Sequence, residues 1–292
     1  MILPLAFEKT YLAAQMLVFP NCKVNLGLHV VAKRPDGFHN IETVFYPLNW
    51  CDALEVIENS RPKEAFTYSQ SGIPIAGAPE QNLIYKAWEL ISEEKDLPPV
   101  KVHLHKNIPM GAGLGGGSSD AAFFINLLNE QFDLGFTVAE KIRLASQLGS
   151  DCAFFINNRP VFAQGKGNEF SDSTIDLSSY YILAVYPAIH SNTKDAYEGL
   201  SPKIPKHDLA SVITTHKIKE WKHSLVNDFE SSLFKKYPEI KLLKENLYQS
   251  GAVYVSMSGS GSAVFGIFEH EPVLNFSSAF NYYLQKPLAK IL

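Results

Sequence analysis

A chain of 292 residues can bury a substantial core and exceeds the usual size of one domain, so we expect two domains, with one large α/β domain as the alternative. Hydrophobic residues make up 46% of the chain and charged residues 19%, values typical of a globular protein rather than a disordered or fibrous one. The formal net charge of -4 gives no broad positive field, which argues against nucleic acid or an anionic membrane as the main partner.

Residues 1–16 precede the first convincing strand and are interpreted as a leader, either disordered or the product of an early start codon. The segment carries Glu8 and Lys9 where a signal peptide needs an apolar stretch, and no run of about 18 apolar residues follows anywhere. Both observations predict a cytoplasmic protein without a membrane span.

A β-hairpin is predicted next. KVNLGLHVV alternates as a half-buried strand, and IETVFYPL resumes an extended pattern. Between them, Pro35 presets φ, and Asp36 and Gly37 tolerate the positive φ of a tight turn. DALEVIE indicates another strand, and NLIYKAWELISEEK places apolar residues at helical spacing behind Asn82 as N-cap.

A strand, a glycine loop and a helix follow. VKVHLHKNIP alternates as a strand and leads into the loop, after which SSDAAFFINLLNEQF is expected to form a helix that starts at Ser118. TVAEKIRLASQLGSD indicates a further helix that ends near Gly149, with Asp151 in the turn before the apolar CAFFI.

The glycine-rich AQGKGNEF is typical of a link, so we place the domain boundary there. The division is a leader at 1–16, an N-terminal domain at 17–165 and a C-terminal domain at 166–292. In the last, YYILAVYP, AVYVSMSG and SAVFGIFE are predicted strands with helical segments between them, which suits a small α+β domain.

The loop PMGAGLGGGSSDAA has the composition of a phosphate cradle. Five glycines lie in the seven positions from Gly111 to Gly117, so the backbone can approach a ligand and present N–H groups at a helix start. Gly111, Gly113 and Gly116 also form a literal G-x-G-x-x-G, but a dinucleotide fold needs an acidic residue after a strand about 20 positions on, and Asp133 has no strand before it. The Walker pattern is absent, and a plain tight turn needs fewer glycines.

This loop resembles the central phosphate-loop motif of the GHMP kinases, and PNCKVNLGL and SMSGSGSAVFGIF match two further motifs of that superfamily in the expected order. KRPDGFHNIETVFYPL, GSDCAFF and NDFE resemble its branch that phosphorylates 4-diphosphocytidyl-2-C-methyl-D-erythritol. The resemblance begins at about Leu17 and is weakest from Leu200 to Trp221. It implies an α+β fold of two domains, a ribosomal protein S5 domain 2-like N-terminal domain and a ferredoxin-like C-terminal domain.

The resemblance implies an ATP- and Mg²⁺-dependent kinase that phosphorylates the 2-hydroxyl of a substrate with a cytidine diphosphate group, in the non-mevalonate route to isoprenoid precursors. Two alternatives stay open: a GHMP kinase for mevalonate, homoserine or a sugar, and a nucleotide-binding regulator without turnover. The pair Lys23 and Asp151 disfavours the regulator, which has no chemical need for both. A monomer or a homodimer is expected.

Asp151 matches the position of the family's catalytic aspartate, and Lys23 matches the lysine beside it. A carboxylate can accept the proton of a substrate hydroxyl, and an ammonium stabilises charge on the transferring group. From the residues alone, Asp151 would be a capping or turn residue and Lys23 an exposed strand lysine. Asn25 shares one strand face with Lys23 and is the candidate for orienting the substrate.

The resemblance also implies where ATP is bound. Asn82 and Lys106 match adenine contacts, although a helix cap is a serious alternative for Asn82. Ser118 or Ser119 would ligate Mg²⁺, a hard ion that prefers oxygen. The phosphates are expected on the loop residues Pro109, Met110, Gly111, Ala112, Gly113, Leu114, Gly115, Gly116, Gly117, Ser118 and Ser119.

Phe38 and His39 are the implied cytidine site, because an aromatic ring stacks on cytosine and a histidine hydrogen-bonds the base edge. The family often has tyrosine where this chain has Phe38, which keeps the stacking and removes a hydroxyl. A hairpin aromatic beside a surface histidine is the alternative. Tyr197 is the candidate for the opposing ring, and Asp36 and Thr43 are further substrate-binding candidates.

In the family, the third motif packs near the phosphate loop and the substrate, which implies that position for Gly259, Ser260 and Gly261. A structural β-turn is the alternative for any one of these glycines.

The cysteines Cys22, Cys51 and Cys152 are odd in number and lack C-x-x-C spacing, so neither a disulfide framework nor a zinc site is expected, and a reducing compartment fits best. We assign them no chemistry, because free cysteines are more often buried apolar residues than nucleophiles.

Overall fold

The computed structural model describes residues 16–198, 200–274, 276 and 278–288, so the predicted leader lies outside the described residues except for Met16. No helix in these ranges is long and apolar enough to cross a membrane. The strands are β1 (Met16–Val18), β2 (Asn21–Lys33), β3 (His39–Cys51), β4 (Ala53–Glu58), β5 (Phe66–Gly72), β6 (Val100–Lys106), β7 (Val161–Gln164), β8 (Glu169–Asp172), β9 (Tyr181–Tyr186), β10 (Tyr254–Met257), β11 (Val264–Phe268) and β12 (Asn281–Gln285). The helices are α1 (Leu83–Ser92), α2 (Gly116–Gln131), α3 (Val138–Leu148), α4 (Cys152–Asn157), α5 (Thr193–Tyr197), α6 (Leu209–Thr215), α7 (Glu230–Lys236) and α8 (Pro238–Gln249), with 3₁₀ turns at Pro79–Gln81 and Ile218–His223.

Strands β2 and β3 form the predicted hairpin and pair antiparallel. Its turn holds Gly37 at a φ of 85°, a conformation that glycine adopts without strain. The N–H of Arg34 donates to the Phe38 carbonyl at 2.8 Å and closes the turn. The prediction from the Pro-Asp-Gly sequence is therefore confirmed.

The same hairpin passes from one sheet into another. Strands β2 and β3 belong to a sheet of order β2-β3-β7-β8, whereas β1 and β4 belong to a sheet of order β1-β4-β6-β5. The change occurs at Pro20 and Asp52, where the Asp52 N–H donates to the Pro20 carbonyl at 2.9 Å. Proline has no N–H to donate, so the ladder is interrupted here.

Helices α1 to α4 pack on the β1-β4-β6-β5 sheet. Their apolar side chains share one core with those of β4 and β6, in which Ile84, Leu104, Phe124 and Phe155 are fully buried. Helix α1 begins behind Asn82 as predicted, because Asn82 Oδ1 accepts from the Ile84 N–H at 2.9 Å.

The C-terminal sheet has the order β10-β11-β9-β12, and all neighbouring strands are antiparallel. If β9 to β12 are numbered 1 to 4 along the chain, the order in the sheet is 2-3-1-4, which is the strand order of the predicted ferredoxin-like domain. The connection from β9 to β10 contains α5 to α8. The connection from β11 to β12, where a ferredoxin-like domain typically has its second helix, has no helix among its described residues.

The predicted link at AQGKGNEF is the turn of a β-hairpin. Strands β7 and β8 pair antiparallel, and the Gly167 N–H donates to the Gln164 carbonyl at 3.0 Å within the turn. The boundary predicted after Gly165 thus falls inside a paired element. After this hairpin the chain enters the C-terminal sheet at β9, so a boundary after Asp172 would keep the hairpin whole. The division into two domains at this point stays a prediction.

The two parts of the chain share a core. Val24 and Leu26 of β2 and Tyr46 of β3 lie in one cluster of buried side chains with Ala184 and Phe265 of the C-terminal sheet. Strand β2 therefore runs between both parts, and the polar side chains that alternate with Val24 and Leu26 point to its other face.

Candidate active site

Strand β2 carries Lys23 and Asn25 on the face opposite this shared core, and both are almost wholly buried. Lys23 Nζ donates to Asn25 Oδ1 at 2.6 Å and lies 3.3 Å from Asp151 Oδ2. It also lies 4.9 Å from the centre of the Phe45 ring, which adds a cation–π contact. Lys23 is thus a buried cation next to Asp151, and its interpretation as an exposed strand lysine is wrong.

Asp151 stands at the start of helix α4 but does not cap it, since its side chain makes no capping hydrogen bond. Its Oδ1 accepts from the Ser150 hydroxyl at 3.2 Å, and its side chain remains 30% exposed. The interpretation of Asp151 as a helix cap is therefore wrong, and the carboxylate is available to the cavity that it lines.

Thr43 fixes the amide of Asn25. Asn25 Nδ2 donates to Thr43 Oγ1 at 2.9 Å, and the Thr43 hydroxyl donates to the Gly27 carbonyl. Because Asn25 Oδ1 also accepts from Lys23, the amide is oriented from both ends. Thr43 itself is fully buried and is not part of the cavity wall, so its predicted contact with substrate is corrected to a role through Asn25.

The glycine loop takes a backbone conformation that side chains disfavour. Gly111, Gly113 and Gly115 have φ values of 63°, 75° and 71°, in the left-handed region. A Cβ at Gly113 would lie 2.0 Å from the Ser258 carbonyl oxygen, so close packing against the C-terminal part also requires glycine there. Both parts of the chain thus shape the loop.

Helix α2 begins at Gly116, with Gly115 as N-cap, rather than at the predicted Ser118. The prediction is wrong because a glycine in the left-handed conformation, and not a serine side chain, starts the helix. No side chain caps the first turn, so its N–H groups and the positive end of the helix dipole remain available to an anion.

The two serines proposed as metal ligands differ in their surroundings. Ser118 lines the cavity with Lys23 and Asp151. Ser119 is fully buried, and its hydroxyl has no hydrogen-bond partner among the described residues. Ser118 is therefore the serine next to the catalytic candidates. The described part of the chain holds no group of three or more His, Cys, Asp or Glu side chains suited to a metal ion.

Cys22 and Cys152, the neighbours of the catalytic candidates, are both buried. Burial raises the pKa of both thiols, that of Cys152 to about 11, although a hydrogen bond with Ser118 opposes the rise at Cys152. Both thiols are protonated at neutral pH and are poor nucleophiles.

The turn after β10 closes the cavity from the C-terminal side. Gly259 and Ser260 line the cavity, whereas Gly261 lies outside its wall. Ser258 Oγ donates to the Gly113 carbonyl at 2.9 Å and so joins this turn to the phosphate loop.

The NDFE sequence holds this turn in place. Asn227 Nδ2 donates to the Met257 carbonyl at 2.9 Å and to the Gly259 carbonyl at 2.8 Å. The next residue, Asp228, accepts from the Val30 N–H at 2.9 Å. The motif thus ties β2 to the glycine turn, a role that sequence reasoning did not assign to any of its residues.

The cavity with Lys23 and Asp151 has a volume of about 320 Å³ and adjoins a second cavity of about 620 Å³. Residues common to both walls are Gly149, Ser150, Lys166, Thr193 and Tyr197. The sequence analysis did not predict Lys166 or Thr193 as site residues. Lys166 could have been found, because it lies between two glycines in the turn that was interpreted as a link.

Phe38, His39 and Tyr197 line the second cavity, as the cytidine prediction requires. Tyr197 stacks on His39, with ring centres 4.4 Å apart and planes at 20°. Its role as the ring that opposes Phe38 across the base stays a prediction. Phe38 is 58% exposed, with Lys166 Nζ 4.8 Å from its ring centre. Burial, aided by Lys33, lowers the pKa of His39, so the ring is neutral at pH 7.

Asp36 belongs to the hairpin turn. Its carboxylate accepts from the Phe38 N–H at 3.2 Å and from Arg34 Nε at 3.2 Å. It lies outside the walls of both cavities, so its predicted substrate contact is corrected: Asp36 fixes the backbone that presents Phe38.

A third cavity, of about 390 Å³, opens beside the phosphate loop, with Met110, Gly117 and Asn82 in its wall. Asn82 caps α1 through its oxygen and donates from Nδ2 to the Tyr68 hydroxyl at 3.0 Å. The cap is thus confirmed, and its position at the cavity wall is compatible with the predicted adenine contact. Burial, aided by Asp120, raises the pKa of Tyr68 to about 12, so this hydroxyl is neutral.

Lys106 does not reach this cavity with its ammonium group. It is 1% exposed and contacts Asp52 and Asp120, with 2.8 Å between Nζ and Asp120 Oδ2. A Cβ at Gly116 would lie 2.9 Å from Lys106 Nζ, which places the ammonium under the start of α2. The predicted adenine contact is wrong for this side chain, because its ammonium group is buried and bonded to Asp52 and Asp120 outside the cavity wall.

Residues 82–159 match the family described as GHMP kinases N terminal domain, and residues 209–286 match GHMP kinases C terminal. A Bacteroides fragilis protein named 4-diphosphocytidyl-2-C-methyl-D-erythritol kinase is 48% identical over 268 residues, which are 91% of this chain and 97% of that protein. A Cytophaga hutchinsonii protein of the same name is 49% identical over 258 residues, 88% of this chain and 94% of that protein.

Solved structures show the same fold. The crystal structure of 4-(cytidine 5'-diphospho)-2C-methyl-D-erythritol kinase matches with a TM-score of 0.71 at 30% identity and covers 86% of this chain and 90% of that one. The crystal structure of homoserine kinase from Cytophaga hutchinsonii matches with a TM-score of 0.67 at 14% identity, over 94% of this chain and 95% of that one, a likeness of fold alone.

Proposed function

This chain belongs to the GHMP kinases, in the branch of the 4-diphosphocytidyl-2-C-methyl-D-erythritol kinases, and we propose that it transfers the γ-phosphoryl group of ATP to the 2-hydroxyl of 4-diphosphocytidyl-2-C-methyl-D-erythritol. The products are the 2-phosphate and ADP, a step of the non-mevalonate route to isoprenoid precursors. The observation that carries the proposal is the position of Lys23 and Asp151 in one cavity, between the phosphate loop and the pocket of Phe38 and His39.

Asp151 is the proton acceptor in this proposal. Its carboxylate takes the proton of the substrate hydroxyl as that oxygen bonds to the γ-phosphorus. The bond from phosphorus to the bridging oxygen of ATP breaks, and ADP leaves with that oxygen. Lys23, at 3.3 Å from Asp151, stabilises the negative charge of the transferring group, and Asn25 orients the hydroxyl. Transfer is direct, since a cradle and a base require no covalent carrier.

Mg²⁺ fits the residues at the phosphate end. The Ser118 hydroxyl at the cavity wall is a hard oxygen ligand of the kind that Mg²⁺ prefers, and the ion retains several waters in proteins. Further ligands would come from the phosphate oxygens of ATP. When bound, the ion supplies neutralisation of the phosphate charge.

Phe38, His39 and Lys166 bind the cytidine diphosphate end in this proposal. The exposed Phe38 ring stacks on cytosine, and the neutral His39 ring offers one donor and one acceptor to the base edge. Lys166 lines both cavities, so its positive charge lies where the diphosphate passes from the base pocket toward Asp151.

The test is ADP release with Mg-ATP and a panel of alcohols, with the product located by ³¹P NMR. The cytidylyl substrate should exceed mevalonate and homoserine in kcat/KM on the order of 100-fold or more, because only it fills the base pocket. A preference for mevalonate or homoserine would replace the substrate assignment. ATP binding without ADP formation on any alcohol would favour a regulator. The cytoplasmic location and the monomeric or dimeric state stay predictions.

A further inference from the structure

A buried charged cluster lies under the start of α2 and takes no part in the proposed phosphoryl transfer. Lys106 is enclosed by Asp52 and Asp120, and none of the three side chains is more than 3% exposed. Asp52 accepts from the N–H groups of Asn107 and Ile108 at 2.6 and 2.8 Å as well as from Lys106. Asp52 therefore uses both of its oxygens inside the protein.

Asp120 uses one oxygen inside the protein and leaves the other free. Its Oδ2 accepts from Lys106 at 2.8 Å, whereas Oδ1 has no hydrogen-bond partner among the described residues, although Asp120 is only 2% exposed. A buried charged acceptor without a donor is destabilising, so native proteins rarely leave one unsatisfied. The free oxygen therefore indicates that a ligand supplies the donor.

The cavity beside the phosphate loop is where such a ligand would lie. Asp120 is part of the wall of this 390 Å³ cavity, together with Gly117, Asn82 and Tyr68. The oxygen of the Asn82 amide is engaged by helix α1, and its Nδ2 by Tyr68. Asp120 thus places a carboxyl group with an unpartnered oxygen in the wall of this cavity.

An anionic acceptor selects among the parts of ATP. Phosphate oxygens are themselves acceptors with negative charge, so the carboxylate of Asp120 repels them. The adenosine part carries hydrogen-bond donors, namely the exocyclic amine of the base and the ribose hydroxyls. Burial raises the pKa of Asp120 to about 7, Lys106 opposes this rise and Asp52 adds to it. A donor on Oδ1 would act in the same direction as Lys106 and favour the ionised carboxylate when the ligand is bound.

We propose that Asp120 is a specificity-determining residue of the nucleotide site, whose Oδ1 accepts a hydrogen bond from the adenosine part of ATP while Lys106 holds the carboxylate in place. The inference rests on the proposed function, because it takes this cavity as the nucleoside pocket. Asp120 had no signal in the sequence, since an aspartate within a helix is usually solvated.

The test compares the binding of ATP with that of analogues that each lack one donor: purine riboside triphosphate, which lacks the amine, 2′-deoxy-ATP and 3′-deoxy-ATP. Isothermal titration calorimetry on the full chain with Mg²⁺ gives each dissociation constant. One analogue should bind the wild type roughly 10- to 100-fold more weakly than ATP, because a bond to a charged group is lost and the carboxylate stays unpaired. That analogue identifies the donor.

In Asp120→Ala, the same analogue and ATP should bind alike, because the acceptor is gone. The ratio of two ligands on one variant cancels any general loosening of the site. Asp120→Asn preserves the shape if the alanine variant fails to fold, and its neutral acceptor should reduce the ratio by about threefold or more. Asp172→Asn is the matched control: it removes the charge of an exposed aspartate outside the cavity wall and should keep the wild-type ratio.

Equal binding of ATP and all three analogues to the wild type would overturn the inference, as would an unchanged ratio in both Asp120 variants. Absence of ATP binding to the folded wild type would overturn it together with the proposed function. Intact ratios without phosphoryl transfer to the cytidylyl substrate would instead sink the proposed function and leave Asp120 as a nucleotide-binding residue.

Discussion

Lys23 and Lys106 both stand on strands and both contact aspartates, yet only Lys23 faces a cavity. Lys23 lies 3.3 Å from Asp151, whose side chain is 30% exposed. Lys106 contacts Asp52 and Asp120, and these side chains are 0% and 3% exposed. We call Lys23 with Asp151 the open pair, and Lys106 with Asp52 and Asp120 the enclosed cluster. The open pair can act on a ligand because one partner is accessible, whereas the enclosed cluster mainly joins the elements that carry it.

The elements joined by the enclosed cluster are those that position the phosphate loop. Asp52 lies at the bend of the long hairpin, Lys106 ends β6 just before the loop, and Asp120 lies on α2 just after it. The open pair instead joins β2 to the start of α4. Substitutions of the two lysines should therefore differ in what they mainly change, catalysis at Lys23 and stability at Lys106.

The largest effect is expected at the open pair. Asp151→Asn should lower kcat on the order of 100- to 10,000-fold, because it removes the proton acceptor. The dissociation constant of ATP should change less than about twofold, since this carboxylate acts on the hydroxyl. Asp172→Asn, with a 75% exposed side chain paired to Arg159, is the control and should match the wild type in both measurements. Loss of ATP affinity equal to the loss of kcat would assign Asp151 to nucleotide binding.

The enclosed cluster should respond in stability. Lys106→Met should lower the free energy of unfolding by about 3–5 kcal/mol, because it leaves buried carboxylates without their cation. Lys23→Met should lower it by about 1–2 kcal/mol, since the open Asp151 can be solvated, while most turnover is lost. Urea unfolding and kcat of both variants check the contrast. A larger loss of unfolding free energy in Lys23→Met than in Lys106→Met would contradict the distinction between the two clusters.

A smaller effect is expected in the base pocket. Phe38→Ala should raise KM for the cytidylyl substrate roughly 5- to 150-fold, because stacking on a base contributes about 1–3 kcal/mol. KM for ATP should stay the same. Phe19→Ala is the matched control, since Phe19 is 57% exposed and lies outside the described cavity walls. Equal increases in both KM values would count against the cytosine contact.

The smallest effect is the pH dependence of the enclosed cluster. Burial raises the pKa of Asp120 to about 7 from the ordinary 3.8, although Lys106 opposes the rise. The folded protein therefore holds this proton more tightly than the unfolded chain, and the stabilisation is full below pH 3.8 and lost as the pH rises through 7. The unfolding free energy of the wild type minus that of Asp120→Asn should fall by up to about 1.4 kcal/mol per pH unit in this window. Urea titrations across the window check it, and a difference independent of pH would contradict it.

Elements that depend on neighbouring residues were predictable. The Pro35-Asp36-Gly37 turn and the cap at Asn82 involve groups a few residues apart, so the sequence pattern contains the whole cause. The start of α2 was placed at Ser118 because serine is a common cap, but the left-handed Gly115 took that position. Whether a glycine adopts that conformation depends on the contacts around it.

For side chains on strands, the sequence predicted which face of the strand they lie on but not which residues they contact. The spacing of Lys23 and Asn25 placed both on one face, which the structure confirms. Lys106 ends β6 beside the loop as the sequence implies, but its ammonium points into the protein, since Asp52 and Asp120 come from other elements. Asp52 and Asp120 are distant from Lys106 in the chain, so no local sequence pattern predicts these contacts.

By itself, the sequence determined the order of the strands and helices around the loop, the glycine-rich phosphate cradle and the family, because motifs and periodicities are local properties of a chain. Only the tertiary structure decided that Asp151 opens to a cavity, that Tyr197 stacks on His39 and that Asp120 keeps a free oxygen. The physical reason is that exposure and hydrogen-bond satisfaction depend on every element that packs around a residue.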